Sequence, residues 1–197
     1  MSVSAGIALG LAIALLVWFV GAYNGLVRRR NEIANAFGQI DVQLKRRHDL
    51  IPNLVEIAKK YLSHERETLT AVMAARQNAS AAAQAVRSAP SDALAVGALA
   101  VAEQALGGSM GRLMAVVEAY PELKADQTVR DLQEELSSTE NRVGFARQAY
   151  NDVVLEFNNA VQAFPDLVVA KICGFSAAAM LQSTQNAQER AAPRVQM

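Results

Sequence analysis

The chain has 197 residues, with 19 basic and 19 acidic side chains, and is formally neutral; this argues against a nucleic-acid binder, which needs a net excess of Lys and Arg. One cysteine, Cys173, excludes an intrachain disulfide framework, and with only His48 and His64 beside it there is no Cys/His set for a metal, nor a motif that calls for a cofactor. Alanine fills 37 positions against 11 aromatic residues and 5 prolines, a balance that favours packed helices over strands and sets the fold class as all-α.

Residues 3–22 carry no charge. At 1.5 Å per residue they reach about 30 Å, the thickness of bilayer hydrocarbon, so the segment reads as a transmembrane helix. Trp18, Phe19 and Tyr23 stand where an interfacial aromatic belt would, and Arg28, Arg29 and Arg30 follow while the N-terminal flank has no basic side chain. The positive-inside rule then leaves the bulk of the chain in the cytoplasm. A cleaved signal is the rival, with Val20, Gly21 and Ala22 as a small-residue site, but its charges would be reversed. Ser2, Gly6, Gly10 and Ala14 recur every four residues, the small-xxx-small pattern of membrane-helix association.

The next 40 residues continue the helix. Tyr23, Leu26, Arg30, Ile33, Phe37, Ile40 and Leu44 alternate steps of three and four, and Arg47, Ile51, Leu54, Ala58 and Tyr61 carry the seam onward. Pro52 interrupts it by removing the hydrogen bond to the carbonyl of His48, so a kink or a break is expected near residues 48–52. Leu62, Leu69, Val72, Ala79, Ala83 and Val86 keep a helical face up to a turn at 88–92, where Ser91 or Asp92 can cap the next helix. That helix contains Gly107, Gly108 and Gly111, which imply a close neighbour or a local break. Pro121 stops it. Val129, Leu132, Leu136, Thr139, Val143, Ala146, Tyr150, Val153, Phe157, Ala160 and Phe164 then keep strict three-four spacing, a core stripe of a long helix rather than a cofactor box. Pro165 ends it, a short return helix follows, and residues 176–197 read as a poorly ordered tail.

The tract at 23–76, YNGLVRRRNEIANAFGQIDVQLKRRHDLIPNLVEIAKKYLSHERETLTAVMAAR, resembles the bacterial LemA family, in which such a tract directly follows the membrane helix. A second match spans 118–164, with AYPELKADQ, LQEEL, TENRV, ARQAYND and the closing FPD. The chain departs from the family pattern in its glycine-bearing segment and after Phe175. The resemblance implies an anchor at 1–22 in the bacterial inner membrane, a bundle of about four long antiparallel helices at 23–175, and no established chemistry. Relatives often encoded near membrane proteases or TPM-domain proteins also imply a reading as an accessory subunit of a membrane enzyme.

The residues themselves point away from catalysis. His48 and Asp49 are adjacent, so on a regular helix they diverge by about 100° and form no dyad. His64-Glu65 opens like a zinc-protease motif but has no second histidine at the required spacing. Residues 24–60 hold 8 basic and 4 acidic side chains, whereas 103–166 hold 5 and 11; the positive half suits anionic headgroups, with Arg28, Arg29 and Arg30 nearest to them. Asn24, Asn31 and Asn35 share a face set off from the apolar seam and suit helix-helix or subunit hydrogen bonds. The expectation is a single-pass scaffold that forms homo-oligomers and organises partners or membrane lipids, with no catalytic activity.

Overall fold

The computed structural model describes residues 3–62 and 64–181, and among these there are helices and no strands. The helices are α1 (Val3–Tyr61), α2 (Arg66–Ser88), α3 (Ala93–Ala119), α4 (Pro121–Ala125), α5 (Gln127–Gln162) and α6 (Asp166–Cys173). The long elements alternate in direction. α1 packs mainly on α5 and α2 on α3, with α1 also against α2.

Most of the seam read on α1 is its buried face: Leu26, Ile33, Phe37, Ile40, Leu44, Arg47, Ile51, Leu54 and Ala58 are buried, while Tyr23 and Arg30 are exposed. Pro52 sits inside α1 without ending it. The carbonyl of His48, which a proline at 52 leaves without its helical donor, accepts from Arg76 Nε of α2 at 2.5 Å. A neighbour thus supplies the missing hydrogen bond, and the chain reverses only after Tyr61.

α3 is likewise continuous through Gly107, Gly108 and Gly111. A Cβ at any of the three would meet nothing within 4 Å, so neither a break nor a close neighbour accounts for them. α3 is also apolar and long enough to cross a membrane, but Val96, Leu99, Leu106, Leu113 and Val117 bury one side of it in the bundle. Asp92 caps it, accepting from the Leu94 amide at 2.8 Å, and Asp126 does the same for α5 through Thr128 and Val129. Pro121 opens α4 at a position where a missing amide hydrogen costs nothing.

On α5 the stripe stays buried at Phe157 and Ala160, the buried face widens by one position to take in Val154 and Val161, and Phe164 lies beyond the helix and is exposed. A 3.5-residue repeat drifts against a 3.6-residue helix, and over this length the drift widens the buried face. The expectation of a poorly ordered tail from Ser176 also fails for its first residues. After a left-handed turn at Gly174, φ +73°, residues 175–181 run extended along α5, with Ala178 and Leu181 buried. The rest of that tail, 182–197, lies outside the described residues.

Two apolar cores result. The membrane-proximal one joins Leu26 to Leu44 with Val143 to Val161, Val169, Ala178 and Leu181. The distal one joins Ile51 to Leu62 with Leu69, Leu106 to Val117, Leu123, Val129 and Leu136.

Candidate functional site

Two regions carry polar chemistry: a layer of charges between the cores and the end of the bundle next to the apolar run. Every long helix contributes to the layer. Glu103 of α3 accepts from Arg47 Nη1 at 3.2 Å and faces His48 Nε2 at 2.8 Å. Arg47 also lies 3.8 Å from Glu140 of α5, while Arg76 of α2 holds the His48 carbonyl and stands 4.0 Å from Asp49. Arg147 of α5 is half-buried beside them; burial pushes its guanidinium down from its ordinary value, and the charge of Glu103 opposes that. His48 and Asp49 diverge as the helical geometry requires, since Asp49 pairs with Lys45 at 2.8 Å. No group of three or more His, Cys, Asp and Glu side chains suited to a metal occurs among the described residues.

At the other region α1 emerges from the apolar run. Gly6, Gly10 and Ala14 are exposed, and a Cβ at Gly6 or Gly10 would meet nothing within 4 Å. Asn24, Asn31 and Asn35 are exposed as well, turned away from the bundle. Arg28 and Arg30 are exposed and Arg29 half-buried, about 9–12 Å beyond Ala22 along the helix. Arg30 lies over the ring of Phe175 at 5.4 Å. Phe175 in turn meets Tyr23 and Phe157 edge-on, with centroids 5.8 and 6.5 Å apart.

Sequence reasoning missed how the strap after Phe175 is held. Asn158 donates to the Ala178 carbonyl at 3.0 Å and accepts from its amide at 2.8 Å; Asn151 does the same for Leu181 at 3.0 and 2.9 Å. Seven helical residues rise about 10.5 Å and three extended residues span about 10 Å, so the two clasps match the strap in step. Tyr150 adds a hydrogen bond from its hydroxyl to the Ala179 carbonyl at 3.1 Å. A pair of asparagines seven apart beside the stripe of α5 was the available signal. The same spacing on α1, Asn24 and Asn31, is exposed instead.

Together these features define a class: a helical bundle continuous with an apolar N-terminal helix that serves as a candidate membrane anchor, its membrane-side core closed by a C-terminal strap. The LemA family model matches residues 36–197, and the chain belongs to the LemA family. Among its relatives, the magnetosome protein MamQ of Magnetospirillum gryphiswaldense is 24% identical over 178 residues, 83% of this chain and 65% of that protein. The magnetosome protein MamQ 2 of Paramagnetospirillum magneticum is 25% identical over 86% of this chain and 68% of its own length. Protein LemA of Metamycoplasma hominis is 26% identical over 85% and 72%. The chain thus spans about two thirds of the length of the MamQ proteins it matches.

Proposed function

We propose that the chain is a single-pass, membrane-anchored helical scaffold that self-associates and organises partners or lipids at the cytoplasmic face of a bacterial inner membrane, without catalytic activity. The observation that carries this reading is the continuity of α1, one helix from the apolar run to the far end of the bundle. Such a helix transmits position from lipid to bundle. The use of Arg47, His48 and Glu103 for one another between the cores also favours packing over chemistry. Gly6, Gly10 and Ala14 would let two anchors approach closely, with Asn24, Asn31 and Asn35 as subunit contacts above them and Arg28, Arg29 and Arg30 on anionic headgroups.

Crosslinking in native membranes tests the reading. Products made mainly of the chain itself are expected, and diminish with Gly6→Ile and Gly10→Ile together, which fill the smooth face of the anchor. Undiminished oligomers would move self-association to the bundle. Recovery of one stoichiometric membrane protease or TPM-domain protein would instead make the chain a regulator. For orientation, a cysteine placed at Ser91 in a Cys173→Ser background should resist a membrane-impermeant thiol reagent in intact cells; ready labelling reverses the topology.

A further inference from the structure

The turn after α5 and the short helix α6 expose an apolar face that nothing in the bundle covers. Phe164 is 82% exposed, Val168 43% and Ile172 68%. Val168 and Ile172, four apart on α6, share one side, with Phe164 exposed in the turn just before it, while Val169 and Ala170 are buried on the other. For a water-facing helix this pattern is inverted, with large apolar side chains outward.

The register of the bundle fixes how deep this face lies. The rings of Phe37 and Tyr150 meet edge-on at 6.3 Å, which sets α1 against α5. The same number of residues from each, toward the membrane, brings the end of α5 opposite Gly25, about 18 Å from that ring pair. The turn and α6 follow from there, and α6 packs on α1. Phe19 and Ala22 of the apolar run pack on the cluster that includes Val169 and Ala170. Phe19 sits about 4.5 Å inside the end of that run at Ala22. A helix that packs on α1 within the cluster Phe19 joins lies near the hydrocarbon boundary.

We propose that Phe164, Val168 and Ile172 form a second membrane contact, inserted into the headgroup-acyl boundary of the leaflet through which α1 emerges. The occupant of this face is the bilayer itself. The proposal rests on the reading of α1 as a membrane anchor. Continuity with that anchor is its main support: α6 packs on α1, and its buried side belongs to the cluster that Phe19 and Ala22 join, where a membrane crossed by residues 3–22 has its surface. Charge agrees, since Lys171 is exposed beside the patch and Arg28 and Arg29 lie at the height of the headgroups. A single spanning helix leaves a bundle free to rotate about its axis. A second, off-axis contact fixes the face presented to neighbours and adds side-chain volume to one leaflet only.

Depth-dependent fluorescence quenching tests it on the full chain in liposomes containing phosphatidylcholine brominated on the upper acyl carbons. Trp18 of the unaltered protein reports the anchor. In a Trp18→Phe background, Phe164→Trp and Ile172→Trp probe the patch, and Phe145→Trp is the control, an exposed aromatic about 28 Å farther from the membrane along α5. Quenching of both patch probes to at least half the extent seen for Trp18, with the control unchanged, is the expected result. Unquenched patch probes beside a quenched Trp18 would overturn the second contact while leaving the anchor in place. Unquenched but blue-shifted emission would overturn it in favour of a protein surface, such as a second copy, covering the patch. An unquenched Trp18 would remove the anchor and the proposal together.

Discussion

At the scale of single residues, Tyr150 shows what burial does to a polar side chain. Its ring is in the core, its hydroxyl bonds the carbonyls of Ala179 and Pro90, and burial pushes its pKa up to about 12. The unfolded chain loses that proton at lower pH. Stability is therefore intact below about pH 10 and falls as pH rises from 10 toward 12. Tyr150→Phe should remove that alkaline slope and cost about 1–2 kcal/mol at pH 8, where the hydroxyl's single hydrogen is lost to the carbonyls of Ala179 and Pro90; urea melts at pH 8 and pH 11 measure both effects. Glu103 is the second case. It is the shared acceptor of Arg47 and His48, so Glu103→Ala strands two buried groups and should cost about 3–5 kcal/mol in the same melts. Glu135→Ala, which breaks the more exposed pair with Arg46, should cost under about 1 kcal/mol. Arg47 was legible in the sequence as a member of the seam of α1. Its acceptor was not, because Glu103 lies in α3 and only the tertiary arrangement brings the two together.

At the scale of elements, the end of α5 at Gln162 separates two phenylalanines that the sequence treats alike. Phe157→Ala should cost about 3–5 kcal/mol, the range for emptying a buried aromatic site. Phe164→Ala should change stability by no more than about 0.5 kcal/mol, since its side chain touches little of the bundle; thermal unfolding in detergent distinguishes the two. The strap depends on its two clasps, so Asn151→Ala with Asn158→Ala should raise amide exchange at 176–181 by about tenfold or more. Long helices were readable because one side of each must be apolar over many turns, and that pattern repeats. The strap was not, because Ser176 to Met180 has no periodicity and is held through its backbone, which any sequence shares. The reversal after Tyr61 also escaped, because the strongest local break signal, Pro52, was answered from another helix.

At the scale of the whole molecule, one helix serves three surroundings: the apolar run, the membrane-side core and the distal core. At 59 residues it is about 89 Å long, and Pro52 interrupts its hydrogen bonding inside the helix. Arg76→Met removes the outside donor and keeps an apolar stem. With spin labels at Glu32→Cys and Lys60→Cys in a Cys173→Ser background, the unaltered chain should give one narrow distance near about 42 Å. Arg76→Met should broaden and shorten it, and an unchanged distribution would mean that the helix needs no help from α2. The borrowed hydrogen bond makes the stiffness of this rod conditional. While α2 stays docked, a tilt imposed on the anchor reaches the far tip undiminished, as along a lever; once α2 lifts away, the same helix becomes a jointed arm whose tip beyond Pro52 moves independently of the membrane.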